Sequence, residues 1–206
     1  MRSAILAGGA ARRFEARPKG LQTVGGRRIL DAVVDTLVQA TGELPLLIAN
    51  DPEAVEWRPD LVVRADVYPG TASLGGIYTA LRAGDGPVFV AAWDMPFLPP
   101  DLVRAVIAGA AAFDAFVPES RGPRGFEPLS AVYAQACAHP IRQSIDAGQL
   151  HTAAFHDAVR VGHLPLATVE RFGNPDELFF NVNTREELAA ARALQRRRDR
   201  RDSRSA

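Results

Sequence analysis

The chain reads as an α/β protein, with a mostly parallel central sheet and helices on both of its faces. Two observations carry that reading. Short apolar runs alternate with segments whose apolar residues recur at helical spacing, the pattern of repeated strand–helix–strand units. Several of the apolar runs end in loops bearing Gly-Gly or aspartate, at the strand ends where such sheets bind ligands.

The elements follow in order. RSAIL, residues 2–6, is a strand running into a Gly-rich loop, and ILDAVVDTLVQAT is a helix. LPLLIAN and DLVVRAD are strands, and LGGIYTALRAG is a helix closed by Gly84. GPVFVAAWD is a buried strand, PPDLVRAVIAGAAA a helix opened by prolines, and FDAFVPE a further strand. The crossovers between parallel strands are right-handed. After Glu119 the pattern loosens. SRGPRG is a turn-rich loop, FEPLSAVYA a strand, HPIRQSIDAGQ a helix, and AVRVGHLPL and TVERF late strands. TREELAAARALQRRR is a last helix, with Thr184 at its N-cap and Glu187 three residues on as a capping box. With no internal repeat or linker, residues 1–194 are expected to form one domain. Residues 195–206, QRRRDRRDSRSA, hold six arginines, two aspartates and almost nothing apolar, and are expected to be a basic, disordered tail.

The composition bounds the function. At 206 residues and 47% hydrophobic content the chain can bury one sizeable core. Acids and bases balance at 24 each, so no overall field favours nucleic acid or a membrane. A single cysteine, Cys137, excludes an internal disulfide and argues against a Cys-based metal site. No apolar run approaches a membrane span or a signal peptide. A cytoplasmic protein is expected. The four histidines show no metal-ligand spacing: His139 reads as a helix-start residue, and His151, His156 and His163 as surface or core residues.

Four stretches carry chemistry. The first is LAGGAARRFEARPKGL. Gly8 and Gly9 let the backbone turn tightly and approach a ligand, and their N–H groups can cup an anion. Arg12, Arg13 and Lys19 add positive charge suited to a triphosphate. The loop matches neither of the common phosphate-loop patterns, G-x-x-x-x-G-K-[ST] or G-x-G-x-x-G. Lys19 is the only lysine in the chain. A compact ammonium bridges phosphate oxygens in a tight loop better than the bulky guanidinium fork used elsewhere. The second stretch is VFVAAWDMPFLPPDLV. Its Asp94, at the carboxyl end of the most apolar strand, suits Mg²⁺, or else caps the following turn. Met95, Pro96 and Phe97 read as loop packing. The third is VRADVYPGTASLGG, where Asp66 ends a strand and Gly75 and Gly76 open a helix; capping and close helix packing are an equal reading. In the fourth, FFNVNTREEL, Asn181 and Asn183 lie on one side of an extended segment and offer amide donors and acceptors.

Taken together and in this order, AILAGGAARRF, PKGL, DMPFLPPDL and FNVNTREEL resemble the molybdenum cofactor guanylyltransferases, nucleotidyltransferases with a three-layer, Rossmann-like sheet. The match recurs from Leu6 to Leu188. It implies transfer of GMP from GTP to the terminal phosphate of Mo-molybdopterin, with Mg²⁺ as cofactor and pyrophosphate released. Carried over by position, Leu6, Ala7, Gly8 and Gly9 line the nucleotide. Lys19 touches its phosphates, Asp66 lies at the nucleotide site, and Asp94 holds Mg²⁺. Lys19, Asp94 and Arg13 are the catalytic candidates. Gly76, Asn181 and Asn183 face the substrates, the two asparagines on the pterin side. The resemblance also implies transient contact with molybdoenzymes or other proteins of cofactor biosynthesis. The chain departs from the family pattern at Glu15, where a glycine is usual, at Pro18, often acidic, and at Ile48, often an asparagine. A cytidylyltransferase for the same pterin is the nearest alternative, but its pattern runs LAAG where this chain has LAGG. A transferase acting on another small phosphate shares the N-terminal loop but not FNVNT. A non-catalytic nucleotide-binding or partner protein is the alternative from a different class, kept open by Glu15 and Ile48; Mg²⁺-dependent pyrophosphate release would exclude it.

Overall fold

The structure is a computed structural model that describes residues 1–8 and 18–205. Gly9, Arg12, Arg13 and Glu15, all singled out in the sequence, lie outside the described residues.

The chain opens with β1 (Arg2–Leu6), followed after the Lys19–Leu21 turn by a small antiparallel hairpin of β2 (Thr23–Val24) and β3 (Arg27–Arg28). Helix α1 (Ile29–Thr41) buries Ile29, Leu30, Val33, Val34 and Leu37 along one stripe. It ends at Gly42, whose φ of 79° lets its N–H reach Val38 O at 2.8 Å. Then come β4 (Leu46–Ile48), α2 (Ala54–Trp57), β5 (Val63–Arg64) and α3 (Ala72–Arg82). β6 (Val88–Ala92) is buried at every residue. It leads to α4 (Pro100–Gly109), whose two leading prolines suit a helix start. The second half supplies β7 (Ala115–Pro118), β8 (Ser130–Tyr133), α5 (Ala138–Asp146), β9 (Val161–Leu164), α6 (Leu166–Val169), α7 (Pro175–Leu178) and α8 (Arg185–Ser205).

Seven strands form one sheet in the order β5-β4-β1-β6-β8-β7-β9. All pairings are parallel except those of β8, which runs against both β6 and β7. The alternation of side chains along the strands builds three layers. Ile5, Phe89 and Ala91 face a core made with α1, α4 and the start of α8. Ala4, Leu6, Val88 and Val90 face the opposite core, made with α3 and α5.

Two expectations change. TVERF is not a strand: Leu166–Val169 is a helical turn and Glu170–Phe172 a 3-10 turn. Pro165 precedes the turn and accepts from Thr168 N, and Glu119 Oε2 accepts from Leu166 N at 2.7 Å, so local capping overrides the β-branched composition. The basic stretch from Gln195 is not a disordered tail: α8 continues through it to Ser205. Gln195 pairs with Asp199 at 2.7 Å, one turn apart, and Ser203 Oγ donates to Asp199 O. Arg198 bonds Glu177 at 3.2 Å and lies 4.5 Å from the Phe97 ring centre, which anchors the helix to the body. The capping box is formed: Thr184 N donates to Glu187 Oε2 and Glu187 N to Thr184 Oγ1. Among the described residues no helix is long and apolar enough to cross a membrane.

Candidate active site

The carboxyl ends of β5, β4, β1 and β6 lie along one edge of the sheet, and β8 begins at that same edge because it runs the other way. Their extensions are laced together. Ala7 N donates to Ile48 O, Ala49 N to Arg64 O, Trp93 N to Leu6 O and Ala92 N to Leu129 O. Over this edge lies a cavity of about 590 Å³, within the size range of small-molecule sites. Eight of the site residues expected from the sequence line it, Leu6, Gly8, Lys19, Asp66, Gly76, Asp94, Asn181 and Asn183, and so does Ile48, one of the departures from the family pattern. Ala7 does not. It is 8% exposed, and its N–H is tied to Ile48 O.

At the centre is Lys19. Its Nζ forms an ion pair with Asp94 Oδ2 and donates to Asn183 Oδ1 at 2.8 Å. Asp94 is 5% exposed, and its backbone carbonyl accepts from Val182 N at 3.0 Å, which pins the asparagine segment to the end of β6. A buried carboxylate of this kind requires a cation, and the lysine supplies it. The lysine is itself held in place by its neighbour. Gly20 lies on the indole of Trp93, and a methyl group there would sit 2.7 Å from Trp93 Cδ2, 3.0 Å from Cζ3 and closer still to Cε3. Trp93 in turn stacks on Trp57 with centroids 5.1 Å apart. Asn181 and Asn183 both reach the cavity, as an extended segment requires. The amide nitrogen of Asn181 is committed to Phe179 O at 3.0 Å.

At the β5 end, Asp66 is gripped by Asn50: Asn50 Nδ2 donates to Asp66 Oδ2, and Asp66 N donates to Asn50 Oδ1, both at 2.7 Å. Burial raises the Asp66 carboxyl above its ordinary range, against the Asn50 amide and the Thr79 hydroxyl, which lower it. Its other oxygen is buried without a hydrogen-bond partner among the described residues. Gly76 packs on Leu6: a methyl group there would sit 2.9 Å from Leu6 Cδ1, so the leucine side chain would have to shift. Ala72, at the start of α3 on the cavity wall, holds a φ of 51°, a strained value for a non-glycine residue.

Several lining residues escaped the sequence reading. Asn50 follows β4 as Asp66 follows β5, a position the strand order would have flagged. Trp93, Arg124, Glu127 and Thr152 carry no motif. Burial pushes the Glu127 carboxyl up to about 7, against the Leu129 N–H and the Arg124 charge, which lower it, while the Asp94 carboxylate adds a smaller rise. Its Oε1 accepts from Leu129 N at 3.1 Å.

Residues 3–199 match the MobA-like NTP transferase domain. The chain belongs to the MobA-like NTP transferase family. Within this family it is similar to the molybdenum cofactor guanylyltransferase of Desulfosudis oleivorans, at 34% identity over 92% of this chain and 93% of that one. A probable molybdenum cofactor guanylyltransferase of Pelotomaculum thermopropionicum is 32% identical over 92% and 91% of the two chains. Among solved structures, the molybdopterin-guanine dinucleotide biosynthesis protein A of Archaeoglobus fulgidus matches with a TM-score of 0.78 and 26% identity, over 94% of this chain and 98% of that one. Membership in the MobA-like family makes the protein a nucleotidyltransferase, and the family match runs past residue 194 into the arginine-rich part of α8.

Proposed function

We propose that the protein transfers GMP from GTP to the terminal phosphate of molybdopterin, releasing pyrophosphate. The observation that carries this reading is the Lys19 ammonium, held at the cavity wall between Asp94 and Asn183. The names of the relatives support guanine as the base and molybdopterin as the acceptor.

An acceptor phosphate oxygen bonds to the α-phosphorus of the nucleotide, the bond from that phosphorus to the bridging oxygen breaks, and pyrophosphate leaves with the electron pair. The acceptor is already an anion near pH 7, so the reaction calls for alignment and charge cancellation rather than a strong base. Lys19 supplies a fixed positive charge at the phosphates. Asp94 sets the position of that charge, and the backbone N–H of Gly8 meets the nucleotide from the β1 side. Asp66, held by Asn50, stands three strands away from Asp94, where N–H and O–H donors of the nucleoside can meet it without repulsion from the phosphates.

The donor set fits Mg²⁺. Among the described residues no group of three or more His, Cys, Asp and Glu is placed to hold a metal, so a protein cage is not on offer. Mg²⁺ does not require one, since it binds through one or two carboxylates together with phosphates and water. Asp94 presents a hard carboxylate on the cavity wall, of which Oδ2 is paired with Lys19, so its other oxygen would be the one to hold Mg²⁺ beside the lysine. Mg²⁺ there would neutralise charge on the phosphate oxygens.

Thermal unfolding with Mg²⁺ and each of GTP, CTP, ATP and UTP tests the reading. A nucleotide at 100 times its dissociation constant adds about 2.7 kcal/mol, roughly 5–10 °C for a chain of this size. GTP alone is expected to give that shift. A shift with CTP alone, or with all four equally, rejects guanylyl transfer.

A further inference from the structure

The Lys19 turn is anchored unevenly. At its C-terminal end Gln22 N donates to Lys19 O at 3.1 Å and Ile29 N to Gln22 O at 2.9 Å, which joins it to the start of α1. At its start no side chain caps it. In the middle, Gly20 rests on the indole of Trp93, too close to admit a methyl group. The position of the lysine therefore depends on what holds that indole.

The Trp93 backbone is fixed, since its N–H donates to Leu6 O at 3.3 Å. The ring is a different matter. Its nitrogen is buried without a hydrogen-bond partner among the described residues. A buried indole N–H ordinarily finds an acceptor, and that bond orients the ring. Here the ring is oriented by packing, and the aromatic face against it belongs to Trp57, with centroids 5.1 Å apart and planes 20° apart. These two are the only tryptophans in the chain.

Trp57 does not line the nucleotide cavity. It is 6% exposed and comes from α2, whose Val55 and Glu56 face solvent. A four-residue helix has little stability of its own. Ionic contacts with the start of α1 hold this one. Trp57 O accepts from Arg28 Nη1 at 3.0 Å, and Asp31 accepts from Arg28 at 2.6 and 2.8 Å. Arg58, the residue after Trp57, donates to the same Asp31 at 3.1 Å. The outer helix thus presents one buried ring, and that ring lies on the tryptophan under the lysine turn.

We infer that Trp57 is a positioning residue: through Trp93 it sets the Lys19 turn, and with it the ammonium that meets the phosphates, without touching a substrate. This rests on the transferase reading above and adds to it a residue of the outer layer. Truncating Trp57 frees the Trp93 ring to turn about its side-chain bonds, because no hydrogen bond restrains it. The Gly20 backbone follows, and Lys19 leaves its place between Asp94 and Asn183. A misplaced charge costs more in the transition state than in the bound ground state. The Asp66 end of the cavity is untouched, so the loss falls on kcat and spares KM for GTP.

The test uses the full chain with Mg²⁺, GTP and molybdopterin. Trp57→Leu is expected to lose at least tenfold in kcat, with KM for GTP changed less than about threefold. Trp57→Phe, which keeps a flat ring on Trp93, is expected to recover kcat to within about threefold of the wild type. Val106→Ala, in the core on α4, controls for lost stability: it lowers the melting temperature and leaves kcat unchanged. Equal kcat in Trp57→Leu and Val106→Ala overturns the inference, and so does a Trp57→Phe no better than Trp57→Leu. A fluorescence titration decides the matter if Trp57→Leu fails to fold. Tryptophan emission of the wild type reports on this pair alone, and inorganic pyrophosphate with Mg²⁺ is expected to change it saturably. Pyrophosphate that binds by calorimetry without changing the emission overturns the inference. Absence of GTP turnover while pyrophosphate still changes the emission rejects guanylyl transfer and leaves the coupling of Trp57 to Lys19 standing. Pyrophosphate that does not bind at all removes both.

Discussion

The Lys19 ammonium donates to Asn183 Oδ1 at 2.8 Å, closing a gap of 164 residues in sequence. The same nitrogen is paired with Asp94, so one side chain ties the loop after β1, the end of β6 and the entry to α8 into a single site. A guanidinium has a longer reach and a planar donor pattern, and it cannot occupy that spot without moving either partner. Lys19→Arg is therefore expected to fold normally and to lose at least tenfold in kcat/KM, about 1.4 kcal/mol or more of transition-state stabilisation. Steady-state kinetics beside a melting curve checks it, and near-normal turnover contradicts it.

The glycine next to that lysine makes a sharper test. Gly20→Ala drives a methyl group into the face of Trp93, which is backed by Trp57 and has nowhere to retreat. The Lys19 turn must then shift. A fall in kcat/KM of about tenfold or more is expected, following the sensitivity of positioned groups to small displacements. Trp93→Leu in the same chain opens the space, and the double variant is expected to recover part of the loss. Activity of the double variant equal to the product of the two single losses would show that the two residues act independently.

Legibility in the sequence followed physical lines. The strand–helix alternation through the first 118 residues was readable because buried parallel strands are short apolar runs and their crossover helices are amphipathic. Lys19, Asp94 and Asn183 were nominated separately and the fold brought them together. The direction of β8 was not readable, since SAVY has the same apolar pattern whichever way it runs. Glu127, just before β8, therefore could not be assigned to the ligand edge, although the reversed strand delivers it there. TVERF shows the opposite failure, in which β-branched composition yields to a proline and a capping carboxylate.

Glu127 predicts a pH dependence. Its carboxyl lies at about 7 in the folded protein against an ordinary 4.5, because burial disfavours the charged form. A carboxyl raised on folding favours the native state less as it ionises. The penalty is absent below the unfolded value near 4.5, grows between 4.5 and 7, and is complete above 7. Glu127→Gln removes that ionisation. Its melting temperature is expected to match the wild type at pH 4 and to exceed it by a few degrees at pH 8. Melting curves across that range decide the matter; a difference independent of pH contradicts it.

The Asn50 grip on Asp66 has its own consequence. Asn50→Ala strips one hydrogen bond from the carboxylate and one acceptor from the Asp66 backbone, at a site already partly desolvated. A loss of about 1–3 kcal/mol in nucleotide binding is expected, with the phosphate end unaffected. Pyrophosphate should therefore compete as well in the variant as in the wild type, while GTP binds less tightly. Isothermal titration with each ligand separates the two, and equal weakening of both contradicts the assignment.

The reversed course of β8 has a consequence for how such a protein can change. The loop from Glu119 to Leu129 leaves the sheet and returns to it on the same rim, with β1, β4 and β6 untouched by its length. Insertions and deletions there can remodel one side of the catalytic crevice while the other side keeps its sequence. The two sides of that crevice can thus vary independently of each other, because they are written in different stretches of the gene.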